Sequence, residues 1–201
     1  MKLYYSPGAC SQSPHIVLRE AGLDFELEKV DLKTKVTEHG EDYTQVNPKG
    51  YVPALEIEPG QVLTEGPAIV QYIADKVSAS KLAPPPDTME RYQLQSWLNF
   101  ITSEIHKSFS PLFNGAFPAE AKKLYREQLA KRFDFIEKNL AHRPYLMPSG
   151  FSVADAYLFV TSGWAPHVGI DLKKWPHLTA YRERIAMRPA VQAALAAEGL
   201  S

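Results

Sequence analysis

The chain has 201 residues, of which 45% are hydrophobic and 22% are charged, a composition typical of a folded protein rather than a disordered one. A net charge of -1 provides no basic field for nucleic acid or an anionic membrane, and a single cysteine, Cys10, excludes an intramolecular disulfide. We expect a cytoplasmic, soluble protein, because the sequence has no signal-like h-region and no apolar stretch of membrane-spanning length.

Charge and proline content predict two domains. Residues 1–80 carry 7 Lys and Arg against 12 Asp and Glu, whereas residues 81–201 carry 15 against 11. The change falls beside residues 81–87, where three consecutive prolines can neither continue a helix nor join a central strand. We therefore predict an N-terminal domain over 1–80, a linker over 81–87 and a larger domain over 88–201.

Strand and helix signals alternate in the first domain. Apolar and polar residues alternate in the predicted strand Phe25–Val30, and apolar residues recur every three or four positions in the predicted helices. The predicted order is β-α-β followed by β-β-α, which indicates an α/β, thioredoxin-like domain. Its elements are strand Lys2–Tyr5, a helix starting near Cys10–Ser13, strand Phe25–Val30, a hairpin of Val52–Ile57 and Val62–Leu63, and helix Glu65–Val77.

The second domain has helical periodicity almost throughout, which predicts an all-α helical bundle. Ser152-Val-Ala-Asp155 is a capping-box signature, and Phe151 stands at the staple position before it. Pro176 and Pro189 mark the starts of two further elements.

Cys10 stands where a strand gives way to a helix. Amide groups and the dipole at a helix N-terminus favour a thiolate. The spacing Cys10-x-x-Ser13 lacks a second thiol, so a mixed disulfide would need an external thiol. A lone cysteine in a helix is more often a buried structural residue, but the strand–loop–helix position favours the reactive role.

Two loops of the first domain are candidate ligand sites. Residues 47–53, Asn-Pro-Lys-Gly-Tyr-Val-Pro, favour a cis peptide at Val52-Pro53 and a sheet edge that pairs with a peptide-like ligand; an ordinary turn is an equal alternative. Thr64-Glu65-Gly66-Pro67 opens a helix, where amides can receive a carboxylate and Glu65 an ammonium group. Simple helix capping is the commoner use of such residues.

A polar stripe marks the second domain. Asn99, Ser103 and His106 follow helical spacing, with Lys107 adjoining. A solvated face is the plain alternative, although short hydrogen-bonding groups favour a lined cleft. Four further side chains are candidates for an apolar pocket, with core packing as the alternative: Phe113, Tyr157, Trp164 and His167. Zn-ligand spacing and phosphate-binding glycine motifs are absent, so we expect no metal site.

Together these features resemble the glutathione transferases, and within them the bacterial beta class. The resemblance covers essentially the whole chain. The matching stretches are Lys2–Tyr5, Pro7–Ser11, His15, Val46–Gly50, Leu63–Gly66, Trp97–Asn99, Glu104–Lys107, Pro111–Phe113, Val153–Phe159 and Ala197–Leu200.

The resemblance implies the roles of individual residues. Cys10 would lie beside the glutathione sulfur. Val52, which precedes a cis Pro53, would pair with the cysteinyl part of glutathione. Glu65 and Gly66 would hold the γ-glutamyl end, and Lys35 would bind the glycyl carboxylate. The helical domain, partly from a partner subunit, would contribute Asn99, Ser103, Glu104, Ile105, His106 and Lys107. Cys10 and His106 would be catalytic. Tyr5 and Ser11 stand near the sequence positions at which other classes place their thiol-activating hydroxyl. Tyr5 is also a candidate residue of the apolar pocket.

Three functions remain open from the sequence. The first is conjugation of glutathione, as co-substrate without a prosthetic group, to small hydrophobic electrophiles by a homodimer engaged in detoxification. The second is glutathione-dependent thiol–disulfide exchange through Cys10. The third is non-catalytic binding of hydrophobic ligands.

Overall fold

The computed structural model describes residues 1–200, which form two compact units. The first contains Met1–Pro85 together with the segment that starts at Arg188, and the second contains Pro86–Met187. The strands are β1 Lys2–Tyr5, β2 Glu26–Asp31, β3 Val36–Thr37, β4 Ala54–Glu58 and β5 Gln61–Thr64. The helices are α1 Gln12–Glu20, α2 Gly66–Lys76, α3 Met89–Phe100, α4 Lys107–Phe113, α5 Ala119–Leu140, α6 Val153–Ser162, α7 Pro176–Ala186 and α8 Pro189–Ala197.

A five-stranded sheet in the order β3-β2-β1-β4-β5 organises the first unit. Strands β1 and β2 are parallel and the other pairs are antiparallel. Central β1 is buried along Leu3–Tyr5 because α1 and α2 supply apolar residues to this sheet's core. The α/β thioredoxin-like fold predicted for this part is confirmed. The two-residue strand β3 was not predicted, since a pair of residues carries no alternation to detect.

The last helix differs from the predicted division, which assigned residues 88–201 to one helical domain. In the structure α8 packs against α1 and belongs to the first unit. Arg188, at the N-terminal end of α8, donates to both carboxylate oxygens of Glu20 over 2.6 and 2.8 Å. Buried Glu198, just after α8, accepts hydrogen bonds from the loop and helix that follow β1. Long-range packing decides this membership, and it leaves no local sequence signal.

The second unit is a bundle of helices, as predicted. Between α3 and α4 the chain forms a π-helical segment, Ile101–His106. The capping box at α6 is present, and the fully buried Asp155 carboxylate accepts from the amides of Leu146 and Ser152 at 2.8 Å each. Among residues 1–200, no helix is both long and apolar enough to cross a membrane.

Candidate functional site

The loop that carries Cys10 is closed by a neighbouring serine. Loop residues 6–11 connect β1 to α1. The Ser11 hydroxyl accepts from the Ser6 amide at 3.1 Å and donates to the Ser6 carbonyl at 3.2 Å. Ser11 is fully buried. Its hydroxyl therefore holds the loop together, which leaves it poorly placed to activate a thiol.

The Cys10 thiol lies two residues before α1 begins and is partly exposed. Its Sγ donates to the carbonyl oxygen of Val52 over 3.2 Å. The sequence placed Cys10 and Val52 in one site, and the fold brings them into direct contact. The thiol proton of Cys10 is thus engaged by a main-chain carbonyl, and a ligand that takes this carbonyl would displace that hydrogen bond.

The main chain before Val52 is fixed by two buried side chains. The Tyr43 hydroxyl and the Asn47 amide each donate to the Tyr51 carbonyl at 2.7 Å. Burial, with a smaller contribution from Cys10, raises the pKa of Tyr43 to about 12, so it remains a donor. The Val52-Pro53 peptide bond is cis, as the motif predicted. These contacts give the residue before Pro53 a defined main-chain position.

Lys35 and Gly66 flank this segment. Lys35 adopts a positive φ of 60° and its Nζ donates to the Gly50 carbonyl at 2.9 Å. A Cβ at Gly50, where φ is 65°, would lie 3.3 Å from the Lys35 side chain. A Cβ at Gly66 would meet only Pro53, at 3.9 Å. Close approach thus requires a glycine at position 50 more than at position 66.

Glu65 precedes α2 in a strained conformation. Its φ of 70° and ψ of 114° cost about 1–3 kcal/mol for a non-glycine residue. Its side chain makes no capping hydrogen bond, contrary to the plain interpretation of this loop. The carboxylate instead lies 2.7 Å from Lys49 Nζ. An exposed carboxylate held beside a helix N-terminus is suited to receive a cation.

The polar stripe of the second unit coincides with the π segment. Asn99, Ser103 and Lys107 are exposed, and Glu104 pairs with Arg132 at 2.6 Å. The Ser103 hydroxyl donates back to the Asn99 carbonyl at 3.1 Å. Such π segments recur at functional sites. Ile105 is fully buried in this unit, so its side chain belongs to the core rather than to a ligand surface.

His106 belongs to an aromatic cluster of the second unit. Its Nδ1 lies 2.6 Å from the Tyr157 hydroxyl, and its ring meets Trp164 edge-on with centroids 5.0 Å apart. Phe113 reaches the same Trp164 with centroids 6.2 Å apart. The structure thus brings three of the predicted pocket residues together with His106. His167 is exposed near Trp164 in sequence, and buried Tyr5 belongs to the first unit.

Three potential metal ligands, Glu28, Glu38 and His39, have donor atoms within 4.8 Å of one another. No sequence pattern indicated this group, because the pairing of β2 with β3 brings its members together. His39 Nδ1 lies 2.8 Å from both oxygens of buried Glu28. Burial raises the pKa of Glu28, but hydrogen bonds from His39 and Thr37 outweigh it and lower the pKa. The contact is therefore that of an ion pair.

The sequence patterns indicated no individual role for three residues that shape this region, although two of them lie in the candidate loop 47–53: Tyr43, Asn47 and Lys49. Tyr43 lies in a short 3-10 turn without periodicity, and its hydroxyl partner could not be foreseen. Asn47 and Lys49 lie in the motif before Pro53, where asparagine is an ordinary turn residue. Lys49 likewise gave no signal, because the carboxylate that it meets lies sixteen positions further along the chain.

Comparison with known proteins places the chain in a family. The family described as "Glutathione S-transferase, N-terminal domain" matches residues 8–76, and "Glutathione S-transferase, C-terminal domain" matches 100–189. Glutathione S-transferase GstA of Escherichia coli O157:H7 is 48% identical, with all of both chains covered. A sphingomonad glutathione S-transferase complexed with glutathione is 53% identical with a TM-score of 0.97, and a bacterial beta class enzyme of Sphingomonas chungbukensis is 51% identical with a TM-score of 0.97. Each structure and this chain cover one another completely. The chain belongs to the glutathione S-transferase family.

Proposed function

We propose that the protein is a glutathione transferase that joins the glutathione thiol to small hydrophobic electrophiles. The observation that carries the proposal is the position of the Cys10 thiol, 3.2 Å from the carbonyl of Val52, the residue before cis Pro53. The same unit also presents the Glu65 carboxylate and the Lys35 ammonium group. A relative of the same fold, 53% identical, was solved with glutathione bound. These features are complementary to a short peptide thiol with charged ends.

Each part of glutathione has a proposed contact in the first unit. The Val52 main chain pairs with the cysteinyl residue as a strand edge pairs with an extended peptide. Glu65 receives the γ-glutamyl ammonium group, with Gly66 beside it, and Lys35 receives the glycyl carboxylate. Lys35 would leave the Gly50 carbonyl to do so, or share its three donors between them.

The proposed chemistry is nucleophilic substitution at carbon. A free thiol of pKa roughly 8.5 is only a few per cent thiolate at neutral pH, so the site must favour ionisation. Amide donors and the α1 dipole near Cys10 supply that stabilisation. The thiolate attacks the electrophilic carbon, a sulfur–carbon bond forms, and the leaving group departs with its electron pair. The thiol proton passes to solvent.

Residues of the second unit enter the proposal through the family resemblance. Asn99, Ser103, Glu104, His106 and Lys107 would contact glutathione, some from a partner subunit of a homodimer. Their exposed or half-exposed positions support a ligand-facing role for these side chains. Phe113, Tyr157 and Trp164 are proposed to contact the hydrophobic electrophile. We propose the cytoplasm as the place of action.

An aromatic groove supports the proposed homodimer. On the second unit Trp97, Phe100 and Phe135 cluster with ring centroids 5.2–6.0 Å apart. Phe135 is 47% exposed, and the groove they line encloses about 460 Å³. Polar side chains, among them Gln93 and Arg143, line the same groove, so it combines apolar and polar contacts as protein interfaces do.

Conjugation is favoured over the other two functions. The relatives and structures compared above carry the name glutathione S-transferase. Thiol–disulfide exchange at Cys10 and ligand binding without turnover have no observation that favours them specifically.

The proposal predicts that the purified protein conjugates glutathione to a chloronitrobenzene substrate, with chloride release. Glu65→Gln removes the charge that receives the ammonium group, so we expect the KM for glutathione to rise about fivefold, since an ion pair at this exposed carboxylate contributes up to about 1 kcal/mol. The exposed Glu26→Gln is the matched control and should leave KM unchanged. Glutathione binding without any conjugation of such electrophiles would contradict the proposal.

A further inference from the structure

Lys49 forms an ion pair with Glu65, the residue whose carboxylate is proposed to receive the ammonium group of glutathione. Lys49 Nζ lies 2.7 Å from Glu65 Oε1 and 3.1 Å from Thr64 Oγ1. The two side chains are 50% and 65% exposed, so a ligand can reach both. The family resemblance gave Lys49 no role, and the sequence placed it in a turn.

The main chain holds both members of this pair in place. Asn47 Oδ1 accepts the Lys49 amide at 3.2 Å, and the Gly50 amide closes the same turn on the Asn47 carbonyl at 2.8 Å. Glu65 has a positive φ of 70° directly before α2. Since an exposed ion pair contributes little to stability, this positioning is not explained as a stabilising device. Strain held at a ligand-facing residue points instead to a role in binding.

The chemistry of the γ-glutamyl residue matches the pair. Its α carbon bears both an ammonium group and a carboxylate, so the two opposite charges lie on adjacent groups of the ligand. Amides at the start of α2 can receive the carboxylate, but Glu65 beside them attracts the ammonium group and repels the adjacent carboxylate. A cation within contact distance of Glu65 removes that repulsion and offers the carboxylate its own partner.

We propose that Lys49 is a specificity-determining residue for the γ-glutamyl end of glutathione. This inference rests on the proposed function and adds a second charge to its γ-glutamyl subsite. When glutathione binds, its ammonium group replaces Lys49 on Glu65 and its α-carboxylate takes the Lys49 ammonium group. The free protein therefore satisfies Glu65 internally and exchanges one ion pair for two. A ligand without the α-carboxylate loses the second pair.

Calorimetric titration with three S-methylated ligands tests this role without thiol exchange at Cys10. The ligands are S-methylglutathione, an analogue lacking the α-carboxylate, and an analogue lacking the α-amino group. We expect the wild-type protein to prefer S-methylglutathione to the analogue lacking the carboxylate by about fivefold, the scale of one partly exposed ion pair. In Lys49→Met that preference should fall below twofold, whereas the preference over the analogue lacking the amino group should persist.

Two further variants make the result specific. Lys49→Arg keeps the charge and should retain the wild-type preference. Lys29→Met removes an exposed lysine of β2 in the same unit and should also retain it. If Lys49→Met keeps the wild-type ratio between the first two ligands, or loses affinity equally for both, the inference is overturned. If the wild-type protein binds none of the three, the proposed function itself fails.

Discussion

Glu198→Ala is expected to lower the free energy of unfolding by about 3–5 kcal/mol, because it removes the acceptor shared by the buried side chains of Gln12 and His15 and by the part-buried Gly8 amide. The carboxylate accepts from the Gly8 amide at 2.9 Å, from Gln12 Nε2 at 3.2 Å and from His15 Nδ1 at 2.7 Å. The side chains of Glu198 and His15 are fully buried. Arg19 donates to His15 Nε2 at 2.9 Å, so His15 presents its Nδ1–H to Glu198.

The same substitution should also disturb the reactive loop. Gly8 lies two residues before Cys10, and Gln12 begins α1, so loss of Glu198 frees the loop from α8. Denaturant midpoints measure stability, and the rate of Cys10 alkylation measures the loop. Glu198→Gln keeps one acceptor oxygen and should lose about half as much stability, whereas exposed Glu183→Ala should lose almost none. A loss below 1 kcal/mol in Glu198→Ala would contradict this account.

Asp155→Ala should cost about 3–5 kcal/mol for a related reason in the second unit. Besides two amides, the carboxylate accepts from the Ser152 hydroxyl at 2.8 Å and the Tyr181 hydroxyl at 3.0 Å. Truncation leaves these donors unpaired at the start of α6. Asp134 is the exposed comparison site. Because Asp134 accepts a hydrogen bond from Trp175, we expect Asp134→Ala to lower the free energy of unfolding by about 1 kcal/mol, which is less than the loss in Asp155→Ala.

Asp155 also predicts a pH dependence. Burial raises its pKa from 3.8 to about 6, in spite of the hydrogen bonds that lower it. The folded protein therefore binds the proton more tightly than the unfolded chain, and stability from this group is lost as the pH rises toward and through 6. Between pH 5 and pH 7.5 the free energy of unfolding should fall by about 1 kcal/mol more in the wild-type protein than in Asp155→Asn. Parallel pH profiles for the two proteins would contradict this assignment.

Short-range sequence patterns predicted much of the fold, because strands, helices and helix caps each leave a signal within a few neighbouring residues. Apolar periodicity identified α1 and β2, the capping signature identified the start of α6, and the motif before Pro53 indicated the cis bond. Packing between distant segments was beyond reach. Residues that follow Arg188 read as part of the helical domain, yet α8 covers α1 through contacts more than 160 positions apart.

Site residues that lie in motifs shared with the glutathione transferases were predicted from the sequence, and the others were not. Cys10 and Val52 were placed together through the family resemblance, and the fold brings them within 3.2 Å. Tyr43 and Lys49 were not singled out, because their roles arise from pairing with Tyr51 and Glu65 across loops. A side chain whose partner is set by tertiary structure gives no sequence signal of its own.

Intact mass spectrometry after incubation with oxidised glutathione tests most directly whether Cys10 lies beside bound glutathione. Attack of the Cys10 thiolate on the disulfide forms one protein–glutathione disulfide and releases one reduced glutathione. We predict a single glutathione adduct on the wild-type protein that reductant removes and that Cys10→Ala lacks, while Cys10→Ala still binds S-methylglutathione. An unmodified wild-type protein, or an adduct that persists in Cys10→Ala, would contradict a glutathione site at Cys10.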